Sequence, residues 1–144
     1  MIDALARARC ATMARLLDAG RALEALGLAL GLLAIAAWLL LFDPAADATA
    51  ELVGLALAAL ALPAERYLAL RLRLDAGLFA DLARGTIDTP QDLDDSLAAL
   101  GLRPPAAITR PLDERLAGAL RLVAWHRRIV VFQAVAWIIA LLAR

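Results

Sequence analysis

Hydrophobic and polar positions divide this chain into three uncharged apolar runs and the charged stretches around them. Residues 25–42, ALGLALGLLAIAAWLLLF, carry no ionisable side chain over about eighteen positions, roughly 27 Å of helix against the ~30 Å hydrocarbon core of a bilayer. Residues 52–64 form a shorter run of about thirteen, which reaches spanning length only if the helix begins near residue 48 with Glu51 at the headgroup level. Residues 129–143 give a third run of about fifteen, with Gln133 as its only strongly polar side chain. The pattern predicts an all-α integral membrane protein: a helical hairpin with spans at about 25–42 and 48–64, and a third span at 129–143.

The charged stretches show a different periodicity. Over 2–21, Ile2, Leu5, Ala6, Met13, Leu16 and Leu17 fall on one side of a helix, with Asp3, Arg7, Arg15, Asp18 and Arg21 opposite and Arg9 interrupting the apolar side. Over 65–84, Leu70, Leu74, Leu78 and Leu82 recur every four residues until Gly85. The LALRLRL stretch within it also alternates as a strand would, but no partner strand is legible, so a helix is expected. Thr89 suits an N-cap, Pro90 the first helical position, and Asp92 and Asp94 the positive end of a helix dipole, with Gly101 as the stop. Pro104 and Pro105 predict an extended linker, and Pro111 opens a helix with no breaker but Gly118 out to residue 143. At roughly 48 Å that helix exceeds the bilayer core, so its first half is expected to stand in the cytoplasm. Four segments result: an amphipathic cytoplasmic helix at 1–24, the hairpin at 25–64, a cytoplasmic helical region at 65–110 and the long helix at 111–144.

Composition strengthens the membrane reading. Of 144 residues, 63% are hydrophobic, against roughly 45–50% in ordinary soluble domains, and a chain this short has too little interior to hide the excess. Basic and acidic residues balance at 15 each, so no net field recruits nucleic acid. The placement of charge says more. Arg7, Arg9, Arg15 and Arg21 precede the hairpin and Arg66, Arg71 and Arg73 follow it, while its connector carries Asp43, Asp47 and Glu51 and no arginine. That asymmetry predicts a hairpin with both ends in the cytoplasm, Arg127 and Arg128 at the inner face, and Arg144 outside. Trp38, Tyr67 and Trp125 fall near interfaces, whereas Trp137 lies deeper and is expected to meet protein. All basic residues are arginine and lysine and asparagine are absent, a bias that suggests a GC-rich bacterial source and hence an inner-membrane location. The ADA at 46–48 resembles a signal-cleavage site, but about twenty-four residues containing Asp3, Asp18 and Glu24 precede the apolar run, so an uncleaved anchor is expected.

Candidate sites are few. Gly27 and Gly31 form GxxxG, and Gly54 and Ala58 continue a ridge of small residues from Ala50, which lets helix backbones approach within the hairpin or, alternatively, between copies of the chain. Trp125, His126, Arg127 and Arg128 are expected at the lipid headgroups, and Asp92, Asp94 and Asp95 are candidate ion-pair partners for the two arginines. His126 and Cys10 are the sole histidine and cysteine, so neither a zinc site nor an intramolecular disulfide is expected. Ser96 has no histidine in its local pattern, and no phosphate-binding loop or dinucleotide fingerprint is present. Glu24, Glu51 and Glu65 flank the apolar runs, so no titratable group is expected inside a span. The sequence therefore predicts no catalysis and no cofactor. It points to an accessory or scaffold subunit whose partners are the bilayer and another membrane protein or a second copy of itself; a self-assembling channel is the alternative.

Overall fold

The computed structural model describes residues 2–41, 49–101 and 110–143, and among these the only regular secondary structure is helix. Six helices follow in order: α1 Ala4–Ala19, α2 Arg21–Leu41, α3 Thr49–Leu60, α4 Leu62–Arg84, α5 Pro90–Ala99 and α6 Leu112–Leu142. Asp43 and Asp47 of the hairpin connector, the ADA at 46–48, the Pro104 and Pro105 linker and Arg144 lie outside the described residues.

Local chemistry sets the helix boundaries. The Ala6 N–H donates to Asp3 Oδ1 at 2.6 Å, which caps α1. Gly20 alone separates α1 from α2, and the Glu24 N–H to Gly20 carbonyl bond of 3.1 Å resumes the helical ladder. The expected span at 48–64 comes in two pieces. Pro63 has no N–H to offer the carbonyl of Ala59 and its ring crowds that group, so α3 stops at Leu60 and α4 restarts at Leu62. Bonds from the Ala61 N–H to Leu57 and from the Glu65 N–H to the Ala61 carbonyl carry the chain across this break. The start of α5 follows the sequence: Thr89 Oγ1 accepts from the Asp92 N–H at 3.1 Å, and Pro90 occupies the first turn. Gly85 and Gly101 adopt positive φ, 74° and 68°, just past the ends of α4 and α5, where a side chain would be strained. The long final helix is continuous over its 31 residues, roughly 46 Å.

Two compact units form, and they do not follow chain order. The first joins Met1–Ala19 with Arg71–Val123; the second joins Gly20–Leu70 with Ala124–Arg144. In the first, Cys10, Met13 and Leu17 of α1 pack with Leu72, Phe79 and Leu82 of α4, Leu93 of α5, and Leu116 and Ala119 of α6. Arg9, which interrupts the apolar side of α1 in sequence, is exposed and pairs with Asp113. The Ile2 N–H to Asp88 carbonyl bond ties the chain start to the α4–α5 connection.

The second unit has a core of Ala34, Leu55, Ala58, Ala136 and Ala140, with Ala37, Ala59 and Trp137 against it. Small residues let the backbones of α2, α3 and α6 come close, the packing that works where lipid gives no hydrophobic drive between helices. Apart from Leu55 and Val130, its large aliphatic side chains mostly point outward: Leu33, Leu40, Leu60, Phe132, Ile138 and Leu142 are exposed. Three helical stretches, Ala4–Leu40, Ala50–Arg84 and Leu112–Leu142, are long and apolar enough to cross a membrane, and of their most apolar 18 residues only 22%, 28% and 22% are buried by protein. An interior lined by alanine with leucine, isoleucine and phenylalanine outside is the arrangement of a small helical membrane protein.

Candidate functional site

The second unit contains a buried ionic cluster drawn from three helices. Glu24 lies in the first turn of α2, Glu65 and Arg66 in the first turn of α4, and His126 midway along α6. The restart of the helix at Leu62 places Glu65 in the first turn of α4, where the dipole favours a carboxylate. Glu65 is 0% exposed and His126 3%. Arg66 Nε lies 2.5 Å from Glu65 Oε2 and its Nη2 2.7 Å from Oε1, a two-pronged pairing. The same Nη2 donates to the Glu24 carbonyl at 3.0 Å, and Nη1 reaches Glu24 Oε1 at 3.4 Å. His126 Nε2 lies 2.9 Å from Glu65 Oε1, so with the carboxylate ionised the imidazole donates from Nε2.

Gly27 makes room for this cluster. A Cβ there would stand 2.9 Å from Glu65 Cγ and 2.9 Å from Val130 Cγ2. The first glycine of the GxxxG pair thus receives a carboxylate stem, and the second, Gly31, receives the Leu62 side chain, 2.6 Å from the position of a Cβ. Gly54 lies against backbone, with the Ala136 carbonyl 2.8 Å from where its Cβ would be, and Ala58 is fully buried beside it in the core. All four residues expected in helix packing are therefore used within one chain.

Two turns beyond His126, on the same inward side of α6, Gln133 is fully buried and its Nε2 donates to the Ala58 carbonyl at 3.3 Å. Ala58 belongs to the last turn of α3, where helix carbonyls lose their own partners. The Gln133 Oε1 is buried and has no hydrogen-bond partner among the described residues. Trp137 meets protein as its depth implies, its Nε1–H donating to the Leu30 carbonyl at 2.9 Å.

The residues expected at the headgroups separate. Trp125, Arg127 and Arg128 are exposed, and the Arg128 guanidinium stacks 5.3 Å from the Trp125 ring centroid. His126 turns the other way and is buried against Glu65, a correction to its expected place at the lipid surface. The reason is helical geometry: His126 shares the face of Val130 and Gln133, which is the packed one. Of the three aspartates offered to Arg127 and Arg128, Asp94 pairs with Arg115 at 2.5 Å, and that arginine also bonds the Pro90 carbonyl. Asp92 accepts from Thr89 Oγ1 at 2.7 Å and Asp95 from Gln91 at 3.3 Å, both within α5 and its cap.

Sequence reasoning missed Glu24, Glu65 and Arg66 because each sits at the edge of an apolar run, where a charged residue is normally solvated. One signal was present: the seven-residue spacing from His126 to Gln133 puts both on one helical face, so a buried Gln133 implies a buried His126. The acid that meets it comes from 61 positions away and leaves no local trace. Chemically the cluster can clamp three helices together through its ion pairs and hydrogen bonds. Among the described residues no group of three or more histidine, cysteine or acidic side chains could hold a metal ion. In comparisons with known proteins, no family model matches the chain, nor does any curated protein or solved structure.

Proposed function

We propose that this chain is a bacterial inner-membrane accessory or scaffold subunit that acts by binding another membrane protein and has no catalytic role. The carrying observation is where its association-prone features point. Gly27, Gly31, Gly54 and Ala58 are filled by side chains or backbone of the same chain, and Gln133 bonds the Ala58 carbonyl. A channel built by self-assembly would need that ridge and that amide for contacts between copies or for lining a path. What the second unit offers outward instead is a surface of leucine, isoleucine, valine and phenylalanine suited to lipid or to a partner's apolar helices. The arginine asymmetry supports an orientation with the N-terminus and the first unit in the cytoplasm and the end of α6 in the periplasm.

Reconstitution tests the reading directly. Single-molecule photobleaching of labelled chain in liposomes is expected to show one bleaching step per particle at low protein density, with ion flux no greater than in empty vesicles. Site-directed photocrosslinking at Ile138 in native membranes is expected to give one dominant adduct to a different polypeptide. A fixed homo-oligomer with measurable conductance would establish the channel and overturn the subunit reading.

A further inference from the structure

Arg127 and Arg128 share with Arg15 and Arg121 an exposed position without an ion pair among the described residues, and differ from those two in standing next to an apolar run. Arg9, Arg66, Arg84 and Arg115 each have a carboxylate within 4 Å, whereas among the described residues neither Arg127 nor Arg128 does. Both are exposed at the start of the third apolar run. Arg128 is also held in place: its guanidinium lies over the Trp125 ring at 5.3 Å, so ordering it for an incoming anion costs less than ordering a free side chain.

The face of α6 below this pair continues without a polar interruption. Phe132, Val135 and Ile139 follow Arg128 at four, seven and eleven residues, the spacing of a single helical stripe, and all three are about half exposed at 47%, 47% and 50%. From Arg128 to Ile139 the stripe runs roughly 16 Å, close to the ~15 Å depth of one leaflet. A cationic and aromatic head on an apolar track one leaflet deep has the form of a phospholipid laid against the helix.

We propose that the stripe Trp125, Arg128, Phe132, Val135 and Ile139, with Arg127 beside it, is a docking site for an anionic phospholipid of the surrounding leaflet. The lipid phosphate accepts hydrogen bonds from Arg128 and Arg127, the Trp125 indole lies at the glycerol level, and an acyl chain follows Phe132 to Ile139. Charge complementarity selects the headgroup, and continuity with the lipid-facing side of the span selects a lipid over a soluble anion. The inference rests on the membrane location of the second unit and not on the subunit role proposed above, so either can fail without the other.

Native mass spectrometry of the full chain released from nanodiscs tests it, using equal mixtures of phosphatidylglycerol and phosphatidylcholine. The unaltered chain is expected to retain phosphatidylglycerol at least about fivefold over phosphatidylcholine, near what one interfacial arginine contributes. Arg127→Gln with Arg128→Gln should abolish that preference. Phe132→Ala should reduce retention of both lipids while keeping the ratio, and Arg73→Gln, an exposed arginine on α4, should change neither. Millimolar inorganic phosphate should not displace the lipid; displacement would mean a site for free phosphate and would overturn the lipid assignment. Equal retention of the two lipids, or a preference that survives the double substitution with the helical content intact, would overturn the site.

Discussion

Glu65 shows how strongly a single buried charge depends on its neighbours. Removed from water, a carboxylate costs several kcal/mol unless it is paired and hydrogen-bonded, and here Arg66 and His126 supply both. The two partners are not equivalent. Arg66 neutralises the buried Glu65 and also engages Glu24, so Arg66→Ala strips Glu65 of its guanidinium; the loss should fall near the low end of about 3–5 kcal/mol because Arg66 is 33% exposed. His126→Ala removes one hydrogen bond and leaves a small void, a loss of about 1–3 kcal/mol. Arg127→Ala, at an exposed position, should change stability by less than about 0.5 kcal/mol. Thermal unfolding in a mild detergent, followed by circular dichroism, gives the order. Finding Arg66→Ala no more harmful than Arg127→Ala would mean that the cluster does not hold these helices together.

At the scale of helices, glycines separate close packing from open space. Gly54 faces the backbone of α6, where an added methyl would stand 2.8 Å from the Ala136 carbonyl, and backbone cannot rotate aside as a side chain can. Gly118 lies in the interior of the same long helix with nothing within 4 Å of an added Cβ. Gly54→Ala should therefore destabilise by about 1–3 kcal/mol through overpacking. Gly118→Ala should stabilise by roughly 0.5–1 kcal/mol, because alanine loses less backbone freedom in a helix. Opposite shifts in unfolding temperature for the same chemical change are the expected outcome; a neutral Gly54→Ala would show that α3 and α6 are not in close contact. Pro63 acts at the same scale, since by ending α3 at Leu60 it leaves a helix of 12 residues, roughly 18 Å, that crosses a bilayer only together with the start of α4.

For the molecule as a whole, the decisive matter is the solvent. The first unit has a core of large apolar side chains from four helices, as a water-soluble helical unit does. The second reverses this, with a core mostly of alanines and most of its large apolar side chains outside, and such a surface is stable in hydrocarbon and sticky in water. The untagged chain is accordingly expected to remain in the membrane pellet after washing with high salt and with alkaline carbonate, and to enter solution only with detergent. Recovery of a monodisperse protein from the supernatant without detergent would contradict the membrane assignment and the lipid site with it.

Much of the architecture was legible in the residues taken in order. The apolar runs announced three helices long and apolar enough to cross a membrane, Thr89 and Pro90 the start of α5, Gly85 and Gly101 two helix ends, and the lack of breakers the unbroken length of α6, because each depends on interactions within a few positions along the chain. The break at Ala61 was equally local, since Pro63 dictates it, although the apolar run conceals it. Partnership was not local. That Asp94 takes Arg115, that His126 turns inward to Glu65, and that Gly27 accommodates a carboxylate stem all follow from contacts between segments 21 or more positions apart. Hydropathy and helical period are properties of neighbours in sequence, so the chain by itself set its helices and their apolar length; which charges are buried and which stay exposed was decided only when the helices packed.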